Sequence, residues 1–240
     1  MTDNLVKTDP GVGILRQKMD EQWKATTSVL TIHHPPDASV APTIFIAKRY
    51  GGTGASMAAL ILEFLLQQEV LIIEVGSNRC PAFKQRPPDR HAHFSSNGSD
   101  PIAPALDFRL EHPGRVAVLE FEPALYARTL DIAQSYTSFA GAGPPMLVYI
   151  CRQQEAAARF AHNAQMRGLG EPVVLREARQ RVGDITPDQL PLPWLADAIT
   201  NTIWDEGVGL EEALRRCSGS WTLQETRLNL GRFLNALLER

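Results

Sequence analysis

Apolar positions recur with different periods along the chain, and the changes of period divide it into an arm, a core and a tail. Near the start, Leu15, Met19, Trp23 and Leu30 fall roughly on one helical face from residue 13 onward, with Lys18, Asp20, Glu21 and Lys24 on the other. His33-His34-Pro35-Pro36 stops that helix, because proline disfavours helical geometry at the residue before it. It either packs back on the core or serves as an arm for a partner. From Pro42 short β-prone runs take over at 43–47, 70–73, 116–119, 146–150 and 173–175. The run at 70–73 is apolar on both faces, as expected inside a parallel sheet. Helical patterns at 55–68 and 155–167 separate some of these runs, which predicts an α/β fold with a doubly wound, mostly parallel sheet. Residues 76–113 form a proline-rich insert without clear period, locally basic through Arg79, Lys84, Arg86 and Arg90. It reads as a solvated loop, with phosphate or DNA contact as the alternative. After Pro193 the pattern is helical at 194–204, 210–217 and 223–238, the last with a stripe of Leu230, Phe233, Leu234 and Leu237 suited to core packing. The expected organisation is a helical arm (1–41), an α/β core (42–205) and a helical extension (206–240).

Composition narrows the class. A chain of 240 residues suits one large domain with appendages, and 44% hydrophobic with 21% charged residues excludes wholesale disorder. The net charge of −3 gives no global attraction to nucleic acid or acidic membranes, so DNA binding would need a local patch. Cys80, Cys151 and Cys217 are odd in number and form no C-x-x-C pair, which argues against a disulfide scaffold or a zinc finger and suits a reducing compartment. The longest apolar stretch is too short to span a bilayer, and Asp3, Lys7 and Asp9 interrupt any signal-like N-terminus. The expectation is a cytoplasmic protein without a transmembrane segment.

One segment carries the chemical signal. Lys48-Arg49-Tyr50-Gly51-Gly52-Thr53-Gly54-Ala55-Ser56 joins the first core strand to the first core helix. Glycines let a backbone turn tightly and bring its N–H groups close to an anion, and the helix N-terminus adds a favourable dipole. Ser56 stands where a phosphate-binding loop has the hydroxyl that ligates magnesium, but Ala55 occupies the place of its lysine. The cradle is present and its charge is missing. Gly51, Gly52, Thr53, Gly54, Ala55 and Ser56 are thus candidate nucleotide-binding residues, with Ser56 and Glu120 as magnesium ligands if a nucleotide binds.

This loop resembles that of the ParA/MinD superfamily of deviant Walker P-loop ATPases, K-G-G-x-G-K-[ST]. Gly51, Gly52, Gly54 and Ser56 match, whereas Tyr50 and Ala55 replace both lysines. The family's acidic second-strand end reads Glu74-Val75-Gly76-Ser77-Asn78 here, and its switch II aspartate reads Glu120 in Leu119-Glu120-Phe121-Glu122-Pro123. The resemblance runs over about residues 43–205, and Ile203-Trp204-Asp205-Glu206, Leu210-Glu211-Glu212-Ala213 and Arg227-Leu228 are similar to the StbB/TraL plasmid-stability branch. It implies a P-loop fold, ATP or ADP with magnesium, and a homodimer formed across the nucleotide. It further implies surface contacts with DNA or membrane and work in plasmid maintenance, conjugation or subcellular positioning. Loss of such lysines, each worth on the order of 10²–10³ in rate, implies a pseudo-ATPase with at most weak ATP hydrolysis. Lys48 and Arg49 lie just upstream as compensating cations, although at the strand end rather than the loop apex. The implied role is an adaptor or weak nucleotide-dependent switch that meets another protein through its N-terminal arm or C-terminal helix. Arg215, Arg216 and Arg227 are interspersed with Glu211, Glu212 and Glu225, so the tail offers no basic DNA patch.

Other chemistries compete for the same residues. The glycine loop, followed about 20 residues later by Glu74 at a strand end, also fits an NAD(P)-binding Rossmann-type reductase. Against that, Met57 stands in place of the third glycine, and Tyr126, Tyr136 and Tyr149 have no lysine four residues on. His91-Ala92-His93 has ligand-like spacing but no third ligand nearby, and surface histidines explain it as well. Cys151 is either a reactive thiol or a buried strand-end cysteine, and Ser218-Gly219-Ser220 reads as a turn rather than a nucleophile elbow. Glu120 and Glu122 share a strand face if the strand reaches that far, either holding a magnesium-associated water or standing as relics of switch II.

Overall fold

The computed structural model describes residues 39–66, 70–139, 142–176, 189–217 and 221–238. The helix expected in the N-terminal arm lies outside the described residues.

Short runs that are apolar on both faces can be buried only as inner strands with layers on each side, and that is how they fold. Strands β1 (Thr43–Lys48), β2 (Val70–Val75), β3 (His91–Phe94), β4 (Val116–Phe121), β5 (Met146–Cys151), β6 (Val173–Arg176) and β7 (Gln189–Pro191) form one sheet in the order β3-β2-β4-β1-β5-β6-β7. Every adjacent pair is parallel. The doubly wound parallel α/β architecture is therefore observed.

Alternation along each strand sorts side chains into two layers. Ile44, Ile46, Ile72, Val118, Val148 and Ile150 face one layer, with helices α1 (Ala55–Leu66), α5 (Asp197–Glu206), α6 (Leu210–Arg216) and α7 (Trp221–Leu238). Phe45, Ala47, Leu71, Leu119 and Tyr149 face the other, with α2 (Ile102–Glu111), α3 (Thr129–Thr137) and α4 (Gln154–Met166). Leu230, Phe233 and Leu234 of α7 are buried in the first layer beside α1, so the apolar stripe of the tail is core.

The insert at 76–113 is not the solvated loop expected of it. It contains a 3₁₀ turn (Pro81–Phe83), the edge strand β3 and helix α2. Strand β3 was missed because it is short and polar, and its pairing with β2 comes from tertiary context rather than apolar period. Helix α5 starts at Asp197, three residues later than expected, with Ala196 before it in a non-helical conformation (φ −59°, ψ 146°).

At the opposite end of β1 from the glycine loop, a buried arginine ties α2 to the sheet. The Arg109 guanidinium on α2 is fully buried and donates through Nε to Thr43 Oγ1 (2.8 Å), through Nη1 to the His112 carbonyl (2.7 Å) and through Nη2 to the Ala41 carbonyl (2.5 Å). Thr43 Oγ1 in turn bonds the Tyr136 hydroxyl at 2.8 Å. Burial pushes the Arg109 pKa down from its ordinary value, but an arginine still holds its proton and the donor set stays intact. Arg109→Leu removes three hydrogen bonds donated to these oxygens from a buried guanidinium, and an equilibrium urea titration is expected to show a loss on the order of 3 kcal/mol.

Candidate functional site

The site follows from which way the chain leaves each strand. After β1 it turns into α1 on one face, while after the neighbouring β4 and β5 it turns into α3 and α4 on the other. A crevice opens where adjacent connections part in this way, at the carboxyl ends of the strands, and ligands of open α/β sheets bind there. The glycine loop sits in that crevice.

Gly52 and Gly54 have φ of 69° and 87°, left-handed values that favour glycine, so the loop turns sharply before α1. The first helical bond runs from the Ala58 N–H to the Gly54 carbonyl at 2.8 Å, which leaves the preceding N–H groups of the first turn without intrahelical acceptors. No acidic residue lies in that first turn to offset the helix dipole. Thr53 is buried and its hydroxyl donates to the Tyr50 carbonyl at 3.3 Å, so it braces the loop. A cavity of about 380 Å³ opens beside it, lined by Lys48, the loop from Gly52 to Ser56, and Leu192, Trp194, Asp197 and Trp204 from the β7–α5 connection and α5. Trp194 is 46% exposed and presents an aromatic surface to this cavity.

Beneath the loop three polar side chains meet. The Lys48 ammonium forms an ion pair with Glu120 Oε1, and the Ser56 hydroxyl donates to the same oxygen at 3.0 Å. Lys48 and Glu120 are 14% and 6% exposed, and Glu120 Oε2 is buried without a hydrogen-bond partner. Ser56 and Glu120, the two candidate magnesium ligands, are thus brought together, with Lys48 as a third member. At an effective dielectric near 20, unit charges 4 Å apart interact by about 4 kcal/mol, so a dication beside the pair would lose to the ammonium about what it gains from Glu120. Magnesium also demands a near-octahedral set of oxygens. With Lys48 in place, the residues present do not fit that ion. Among the described residues no group of three or more His, Cys, Asp or Glu side chains is placed to hold a metal.

The second expected cation behaves differently. Arg49 lies over the Tyr50 ring, 5.6 Å from its centroid, on the exposed side of the loop. Sequence reasoning missed Arg152, the first residue past β5, whose guanidinium reaches the Gly51 and Gly52 carbonyls at 3.4 and 3.5 Å. No local motif marks Arg152; its place follows from β5 lying next to β1.

Glu74 stands in register with Glu120 on the adjacent strands β2 and β4. Two like charges side by side destabilise a sheet unless each has its own partner. Glu74 Oε1 accepts the Cys80 N–H and Oε2 the His91 ring, both at 2.7 Å. Arg79 donates to His91 Nδ1 at 3.3 Å, so the His91 proton resides on Nε2, facing the carboxylate. His93 reaches the Gly76 carbonyl at 2.9 Å. Both histidines of the ligand-like pair therefore have partners within the fold, and His162 is exposed. Burial pushes the Cys80 thiol up to about 11, despite hydrogen bonds from Ser56 and Ala82 that act the other way. Cys151 is buried at the end of β5, and Ser218-Gly219-Ser220 lies outside the described residues.

Because β4 ends at Phe121, Glu122 does not extend a common face with Glu120. Glu122 Oε2 accepts the Ser77 N–H (2.7 Å) and hydroxyl (2.8 Å), tying the end of β2 to that of β4. Partial burial alone would raise the Glu122 carboxyl, but hydrogen bonds from Ser77 and Ser96, with the nearby Lys48 charge, hold it below its ordinary value.

No protein-family model and no curated protein matches the chain. Among solved structures, the signal recognition particle receptor FtsY from Elizabethkingia anophelis, in complex with GDP, is similar with a TM-score of 0.41 and 11% identity, over 92% of this chain and 74% of that one. At that distance the functional reading rests on this chain's own residues.

Two outcomes check this geometry. A Cβ at Gly54 would add left-handed strain and meet Leu192 at 2.7 Å, whereas one at Gly51 meets nothing within 4 Å. Gly54→Ala is expected to lower the unfolding free energy by about 1–2 kcal/mol and Gly51→Ala to leave it nearly unchanged, measured by urea denaturation. For Glu122, a depressed folded pKa means that its contribution is present above the ordinary value of 4.5 and lost as pH falls through the folded value. Melting temperatures of the parent and Glu122→Gln should therefore differ at neutral pH and converge as the solution is acidified below that range.

Proposed function

We propose that this chain is a nucleotide-binding protein of the P-loop type whose loop has lost its catalytic charge, and which works as an adaptor or weak nucleotide-dependent switch. The observation that carries the reading is the glycine loop itself. It joins the central strand to a helix whose first turn holds no acidic residue, at the crevice of a parallel sheet, beside a cavity walled by Trp194 and Trp204. Loop amides suit a phosphate chain, and the two indoles suit a base. Hydrolysis is expected to be weak. Tyr50 and Ala55 stand where the family has lysines, and Lys48 is engaged by Glu120. Steady-state turnover should stay well below about 1 s⁻¹.

The resemblance to the ParA/MinD superfamily supports a place in plasmid maintenance, conjugation or subcellular positioning, with a homodimer as the working assembly. Because the stripe of α7 is spent in the core, the N-terminal arm is the segment we assign to partner binding. No helix among the described residues is long and apolar enough to cross a membrane. The reductase reading loses its support. Both oxygens of Glu74 are engaged, and β4 separates β2 from β1, so the acid does not stand beside the glycine loop as a ribose ligand must.

A thermal-shift titration with ADP, ATP, GDP and NADPH in parallel tests the proposal. Ligand at about 100 times Kd stabilises by about 2.7 kcal/mol, which raises the melting temperature of a domain this size by roughly 5–10 °C. Purine nucleotides are expected to do so, with a change in tryptophan fluorescence that Trp194→Leu diminishes. A response to NADPH alone would overturn the reading.

A further inference from the structure

We propose that the Lys48 ammonium takes the place of a divalent cation in this site, so that the glycine loop receives its phosphate ligand in metal-free form. The proposal rests on the nucleotide-binding reading above and specifies the ligand's ionic state.

Three observations carry it. The oxygen of Glu120 that faces Ser56 is occupied by Lys48, and that carboxylate is almost wholly buried. Lys48 and Glu120 together carry no net charge, so that pair offers a dication no net attraction. Glu122, the other carboxylate at this strand end, is committed to Ser77. Two cations stand at the loop itself. An ammonium has three donors, and the contact with Glu120 uses one of them. Lys48 lines the cavity together with the loop from Gly52 to Ser56, so its remaining donors lie beside the cradle. The Arg152 guanidinium lies against the loop from the β5 side. A phosphate seated on the loop amides would thus meet fixed positive charge without an ion arriving with it.

Isothermal titration of the full chain with ADP and ATP, in EDTA and in saturating magnesium, tests this. Binding should be as tight in EDTA as in magnesium, or tighter, since magnesium sequesters the free nucleotide. Glu120→Gln releases the ammonium from its carboxylate, and should strengthen metal-free binding about threefold, a change of roughly 0.65 kcal/mol. The charge-neutral pair Lys48→Met with Glu120→Gln avoids a stranded buried carboxylate. It should weaken metal-free binding tenfold or more, with no rescue by magnesium and an unchanged cooperative melt without ligand. Tightening by magnesium of tenfold or more in the parent, lost in Glu120→Gln, would overturn this inference and leave the nucleotide reading standing. Absence of binding in both conditions would overturn both.

Discussion

The structure depends on the burial of one strand. β1 is paired on both edges, with β4 and β5, and covered on both faces, so nearly every residue from Thr43 to Ala47 is sealed from solvent. A one-residue slip would exchange Ile44 and Ile46 with Phe45 and Ala47 between two differently shaped layers, which fixes the register with its neighbours. Because all the pairings are parallel, the carboxyl ends of β1, β4 and β5 come out on one edge. Lys48, Glu120 and Arg152 are thereby gathered beneath and beside one loop although they are far apart in the chain. The opposite edge is closed by Arg109, which binds the entry to β1 to α2 and α3 through neutral oxygen acceptors.

Charge at the open edge is arranged by pairs. Adjacent strands carry Glu74 and Glu120 at the same level, and each is answered separately, by His91 with a backbone amide and by Lys48 with Ser56. Breaking a buried pair of this kind is destabilising because it strands the remaining charge. The strand-end lysine is therefore a structural neutraliser of Glu120 before it is anything else. No lysine stands in the loop from Tyr50 to Ser56, and Lys48 lies on the strand beneath it.

Much of the fold could be read from the chain. Runs apolar on both faces at 43–47, 70–73, 116–119, 146–150 and 173–175 have no stable place except inside a covered parallel sheet, and each of them is a strand. The loop could be read too, because consecutive glycines between a strand and an Ala/Leu-rich helix have few conformational alternatives. The insert could not. β3 is held by pairing with β2 and by His91 meeting Glu74, contacts that leave no periodic trace in His91-Ala92-His93-Phe94. The same holds for the cavity wall. Trp194 and Trp204 face the glycine loop because β7 and α5 return the chain to that edge, and neither position carries a local signal.

What the sequence by itself determined is the class of architecture and the position of a glycine loop between β1 and α1, since both follow from periods and residue types over a few neighbouring positions. What only the tertiary structure decided is the charge state of that loop's surroundings. Lys48 and Glu120 are 72 residues apart, and their contact exists because β1 and β4 are neighbours in a sheet whose strand order no local pattern specifies. Local chemistry built the cradle; the parallel register decided which charges lie beneath it.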